Sequence, residues 1–191
     1  PTREAARVLL EAGADPNAGF LWSGFPSPAT ALTGAFGEGE SGPVRQPPHE
    51  SCYELAEILI SRGADPNDSQ VLYNRMFERD DNHLSFLFRN GLGSDKGNIW
   101  HRRLGCQLGH WPGTPEEMVA YQLRWAVRWH YPERVALIMD NGGDANRPGP
   151  GPQASPPFDE AVRHGNLGIA RLLQKRGAVG RPLDRADVFC G

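Results

Sequence analysis

Glu11–Asn17 reads EAGADPN and Ser61–Asn67 reads SRGADPN, and two further segments repeat the pattern: Asp140–Asn146 (DNGGDAN) and Lys175–Val179 (KRGAV). A fainter copy, RNGLG, spans Arg89–Gly93. Aligning the copies on their first glycine (Gly13, Gly63, Gly91, Gly142 and Gly177) brings ten apolar residues to one offset: Val8-Leu9, Ile58-Leu59, Phe86-Leu87, Leu137-Ile138 and Leu172-Leu173. One turn earlier stand Ala6, Ala56, Leu84, Val135 and Ala170. Apolar residues three to four apart make one buried stripe on a helix, so the spacing predicts five short amphipathic helices. Glycine ends a helix because it alone enters the left-handed conformation without cost, and Asp-x-Asn after it suits a turn.

Upstream of these helices lies a second, weaker regularity. Thr30–Ala35 reads TALTGA, Tyr121–Ala126 reads YQLRWA and Pro156–Ala161 reads PPFDEA, each sharing positions with a T-P-L-H-x-A pattern; in Gln70–Arg75, QVLYNR, only the leucine agrees. Together with the segment Ala161–Ala178 (AVRHGNLGIARLLQKRGA), the arrangement resembles the ankyrin repeat, a turn plus two antiparallel helices in about 33 residues. The resemblance implies an all-α fold: a helical solenoid of about five repeats forming a single domain over residues 1–191.

The glycine-to-glycine steps are 50, 28, 51 and 35 residues, so one repeat is shortened and two carry insertions. The first insertion, with Phe20–Pro28 and residues 37–50, is rich in Gly and Pro. The second covers residues 93–115 and holds two tryptophans, which argues for order and for a short helix over Asn98–Leu108. Pro1 stands inside an expected outer helix, so the sequence reads as starting part-way through a repeat, with Val8 and Leu9 left uncovered.

Composition narrows the function classes. A net charge of −3 supplies no field to gather a phosphate backbone or an anionic membrane surface, so nucleic acid and membrane are not expected partners. No apolar run approaches the roughly 20 residues that span a bilayer. Three unpaired-looking cysteines, Cys52, Cys106 and Cys190, fit reduced thiols, and the expectation is a cytoplasmic protein. All but two of the 20 basic residues are arginine, which suggests a GC-rich, bacterial genome.

Little points to chemistry. His101, Cys106 and His110 fall within ten residues, but their spacing fits none of the familiar zinc patterns, and packing of an inserted helix explains them as well. Cys106 with His110 lacks a third, orienting group. The segment Gly37–Gly42 is acidic and would repel phosphate. The expectation is a non-enzymatic module without metal or cofactor that binds another protein.

The resemblance implies where that partner sits, because in such stacks the turns and the solvent side of the first helices line the binding surface. The slots following the signature alanine hold Glu38, Phe77 and Glu78, Arg128 and Trp129, and Arg163 and His164. Trp22 and Phe25 join them from the turn side, either as contacts or as a plug beneath the insertion. The series runs acidic to basic, which would orient a partner of mixed charge. For Glu38 and Glu78 an ordinary solvated face is the plain alternative, and Trp125, four residues from Trp129, reads as core. Arg102 and Arg103 beside Trp100 could form a cation–aromatic patch or a charged helix surface. The competing function is a small-molecule or catalytic pocket built from insertion 93–115, walled by Trp100, His101, Cys106, His110 and Trp111.

Overall fold

The computed structural model describes residues 2–21, 27–37, 46–94, 99–104 and 113–182. Among these the protein is mostly helical, with ten helices and one two-stranded sheet. The chain divides into two compact units, Pro1–Pro115 and Glu116–Gly191.

The first unit runs α1 (Thr2–Glu11), β1 (Gly19–Leu21), β2 (Pro28–Thr30), α2 (Ala31–Phe36), α3 (Cys52–Ser61), α4 (Ser69–Arg75), α5 (Asn82–Arg89) and α6 (Ile99–Leu104). Helix α1 packs on α3, while α2 packs on both α3 and α4. Part of the aligned apolar set forms the core, while Ala6, Ile58, Leu137 and Leu172 are half-buried. Ala56, Leu59, Leu84, Phe86 and Leu87 are buried, and so are the leucines of the upstream pattern, Leu32 and Leu72. Phe36, Tyr53 and Phe86 meet with ring centroids 5.6 to 6.0 Å apart and join α2, α3 and α5. Val8 and Leu9 are the departure: both lie on the outer side of α1 and are 55% and 60% exposed.

The second unit runs α7 (Pro115–Arg128, whose first residue closes the preceding unit), α8 (Pro132–Asp140), α9 (Pro157–Arg163) and α10 (Leu167–Lys175). Helix α10 packs on both α8 and α9. Leu123, Ala126, Val135, Ile138, Phe158, Ala161, Ala170 and Leu173 are all buried at 0 or 1% exposure, and each stands at an aligned position. Arg134 is buried with its guanidinium 4.9 Å from the Tyr131 ring centroid.

The five aligned glycines end their helices in one geometry. Their φ angles lie between +85° and +102°. After each, the next residue donates its N–H back five residues, from Ala14 to Leu9, Ala64 to Leu59, Leu92 to Leu87, Gly143 to Ile138 and Ala178 to Leu173, at 2.9 or 3.0 Å. The glycine N–H bonds the carbonyl three residues back in all five. This pair of bonds satisfies carbonyls that a helix end otherwise leaves open.

The Asp and Asn that follow have separate jobs. Asp15, Asp65 and Asp144 each accept the backbone N–H two residues on, at 2.8 to 2.9 Å, which folds the turn back on itself. The asparagine side chain is thereby aimed at the following turn. Asn17 bonds Gly63 O and Asp65 N, Asn67 accepts from Gly93 N, and Asn146 bonds Gly177 O and Val179 N. Asp95, the residue at this position after Gly91, lies outside the described residues.

Two features of the first unit depart from a plain helix pattern. Strands β1 and β2 pair antiparallel, Gly19 opposite Thr30, within the Gly- and Pro-rich stretch that carries no strand periodicity. Helix α6, expected over Asn98–Leu108, is described from Ile99 to Leu104, and Asn98 and residues 105–108 lie outside the described residues. It lies across the turns that follow α1 and α3. Ile99 N donates to Asp65 Oδ2 at 2.7 Å, and Arg103 donates to Asp15 Oδ2 at 2.8 Å and to Asn17 O at 3.3 Å.

Candidate functional site

The expected binding residues divide between the two units. Trp22 and Glu38 lie outside the described residues, as does Phe25. Phe77 is half-buried just beyond the end of α4, edge-on to Tyr73 at 5.2 Å, and Glu78 beside it is exposed. The second unit holds the rest: Arg128, Trp129, Arg163 and His164 are all exposed at the C-terminal ends of α7 and α9.

Two links show how these ends come together. Lower on the helices, Arg124 Nε of α7 stands 3.8 Å from Glu160 Oε1 of α9. Further along both helices, Asn166 donates to Val127 O at 2.6 Å and its Oδ1 lies 2.9 Å from His130 Nδ1. The links advance in the same order along each helix, so α7 and α9 run side by side in one direction. One turn beyond the Arg124–Glu160 level come Arg128 on α7 and His164 after α9. Sequence spacing thus places Arg128, Trp129, Arg163 and His164 on one edge. His130 closes α7 with φ of +59°, a left-handed conformation rare outside glycine, and its ring is tied to Asn166.

Glu160 organises the chemistry beneath that edge. Its side chain is 2% exposed and faces two arginines, Arg124 at 3.8 Å and Arg163 at 3.4 Å, together with His164 Nε2 at 3.4 Å. The Ser155 hydroxyl donates to Glu160 Oε2 at 2.9 Å and also accepts from Arg163. Burial pushes the Glu160 carboxyl upward, but the Ser155 bond and the charges of Arg163, Arg124 and His164 outweigh it and hold it below the ordinary glutamate value. Arg124 donates in addition to Pro150 O at 2.8 Å. A Cβ at Gly149 would come within 2.8 Å of the Arg124 side chain, so the loop after α8 closes over it only because that residue is glycine.

Trp129 is the exposed aromatic of this edge, at 54%. Its ring lies 5.4 Å from that of Trp125, inclined by 40°. Trp125, expected as core, is partly buried and supports Trp129 from behind.

Sequence reasoning passed over Arg124, Ser155 and Glu160. The spacing of Glu160 to Arg163 and His164, three and four residues, was a usable signal, because it puts one carboxylate beside an arginine and a histidine on a helix face. Nothing local marks Arg124 as their partner.

In the first unit the expected cation–aromatic patch takes a structural form. The Arg103 guanidinium lies 5.4 Å from the Trp100 ring centroid, yet its nitrogens are committed to Asp15 and Asn17. The His101 ring packs where a Cβ on Gly113 would sit, 2.5 Å from that position. Cys106, His110 and Trp111, the remaining wall of the alternative pocket, lie outside the described residues. Among the described residues no group of three His, Cys, Asp or Glu side chains is placed to hold a metal, and no helix is long and apolar enough to cross a membrane. No protein-family model matches the chain, and no curated protein matches it.

Proposed function

We propose that the chain is an ankyrin-type array of helical repeats that binds another protein through the ends of its inner helices, with no catalysis of its own. The observation that carries the reading of an array is the recurrence of one turn: five left-handed glycines with one pair of backbone bonds, and asparagines bonded to the turn that follows. Solenoids bind partners through the exposed ends and turns of their stacked helices.

The reading of binding is supported by what stands on the α7–α9 edge. An exposed tryptophan flanked by arginines matches the residues that dominate binding energy at protein interfaces. In the first unit Phe77 and Glu78, and Trp22 and Glu38 by position in the sequence, are proposed as binding residues of that unit. The proposal places the protein in a reducing cytoplasm, where Cys52 stays a thiol.

Affinity capture from an extract of the source cells, read by mass spectrometry, tests it. The wild-type chain is expected to retain a protein that the Arg128→Glu/Arg163→Glu variant loses. Capture of nothing by a folded wild-type chain contradicts the proposal.

A further inference from the structure

Resting on the interaction reading above, we infer that the α7–α9 edge recognises an acidic peptide segment that carries an apolar side chain next to its carboxylates.

The charge arrangement carries the argument. One buried carboxylate, Glu160, faces Arg124 and Arg163, with His164 as a third group that adds charge when protonated. The other partners there, Ser155 and the Pro150 carbonyl, are neutral, so the cluster keeps at least one positive charge in excess. A turn further along, Arg128 is exposed and has no ion-pair partner among the described residues. Of the other acids on these two helices, Glu116 and Glu117 stand on the first turn of the fourteen-residue α7, and Asp159 is exposed one turn before Arg163 on α9. Arg163 keeps half of its side chain in solvent while its other contacts hold it in place, so a partner's carboxylate meets a guanidinium already oriented for paired hydrogen bonds.

The apolar half of the ligand follows from Trp129. Its ring is backed by Trp125, which leaves the rest of its surface open beside Arg128. The edge is also rigid, since Asn166 ties both helix ends together through Val127 and His130. A pre-ordered surface loses little freedom on binding. A polyanion such as nucleic acid is disfavoured by the net charge of −3 over the whole chain.

Selection of a random dodecapeptide library displayed on phage against the intact chain tests the inference. The expected result is enrichment of peptides with Asp or Glu within a few residues of Leu, Phe or Trp. A synthetic copy of the leading peptide should bind at least tenfold more weakly to Arg128→Glu and to Trp129→Ala, and equally well to Arg171→Glu on the exposed side of α10. Arg128 is exposed, so Arg128→Glu keeps the test open if an Arg163 variant unfolds. Enriched peptides without acidic residues, or whose binding survives Arg128→Glu, overturn the acidic segment and leave the interaction reading standing. No enrichment on a folded chain overturns both.

Discussion

The side-chain amide of Asn17 donates to the carbonyl of Gly63 at 2.7 Å, across 46 residues of sequence. Its oxygen accepts from Asp65 N at 2.8 Å, so one side chain satisfies both sides of the next turn. Asn146 repeats the arrangement on Gly177 and Val179 in the second unit. Each asparagine therefore sets the spacing between consecutive helix ends. Asn17 is 6% exposed, and replacing a buried group of this kind strands its partners. Asn17→Ala is expected to lower stability by roughly 1–3 kcal/mol in urea unfolding. A variant as stable as wild type would remove the asparagine from the stacking account.

Gly142 allows a test of the helix stop free of packing. Its φ is +85°, and a Cβ there would meet nothing within 4 Å. Gly142→Ala therefore changes conformation alone and should cost about 1–2 kcal/mol, the ordinary penalty for a side chain in the left-handed region. A loss below about 0.3 kcal/mol would mean that the turn relaxes out of that conformation.

Asp68 makes the first unit sensitive to pH. Its carboxylate is buried at the start of α4, where it accepts from Gln70 N and Val71 N at 3.0 and 2.9 Å and from the Thr30 hydroxyl at 2.6 Å. Burial pushes it up to about 6, against those hydrogen bonds. Because the folded value lies above the unfolded one, the stability it contributes is complete below pH 3.8 and is lost as pH rises through about 6. Asp68→Asn keeps an acceptor for the helix N-terminus and abolishes the titration. The stability of wild type relative to this variant should fall by about 3 kcal/mol between the acidic and neutral limits. Parallel stability curves for the two proteins would contradict the buried charge.

Glu160 has the opposite sign. Its carboxyl is held below the ordinary value, so its contribution is present above pH 4.5 and is lost as pH falls through the lower folded value. Glu160→Gln leaves Arg124 beside a neutral group and should destabilise the second unit by roughly 1–3 kcal/mol at neutral pH, with the difference shrinking in acid. Thermal unfolding across that range checks both the size and the direction. A loss that grew as the pH fell would contradict the ion-pair account.

The helix ends were legible in the sequence because their cause is local. A glycine after Val8-Leu9 or Leu172-Leu173 needs no distant partner to stop a helix. The buried stripe was legible for the same reason, since periodicity records which side of a helix meets the core. Asn17 and Asn146 were visible as turn residues only, because their second role depends on a chain segment 31 to 48 residues away. The pairing of Arg124 with Glu160 was hidden likewise: the pattern fixes which side of each helix is buried and says nothing about which polar groups meet across helices. The β1–β2 hairpin escaped because Gly19–Leu21 and Pro28–Thr30 are too short and too rich in Gly and Pro to show an alternation.

The most direct measurement places a benzophenone photo-crosslinker at Trp129 and, in a second protein, at Arg171 on the exposed side of α10, followed by illumination in cell extract. The account predicts one discrete cross-linked protein from position 129, absent from position 171 and suppressed by Arg128→Glu. Equal products from both positions, or none from position 129 of a folded chain, would contradict the assignment of this edge as the binding face.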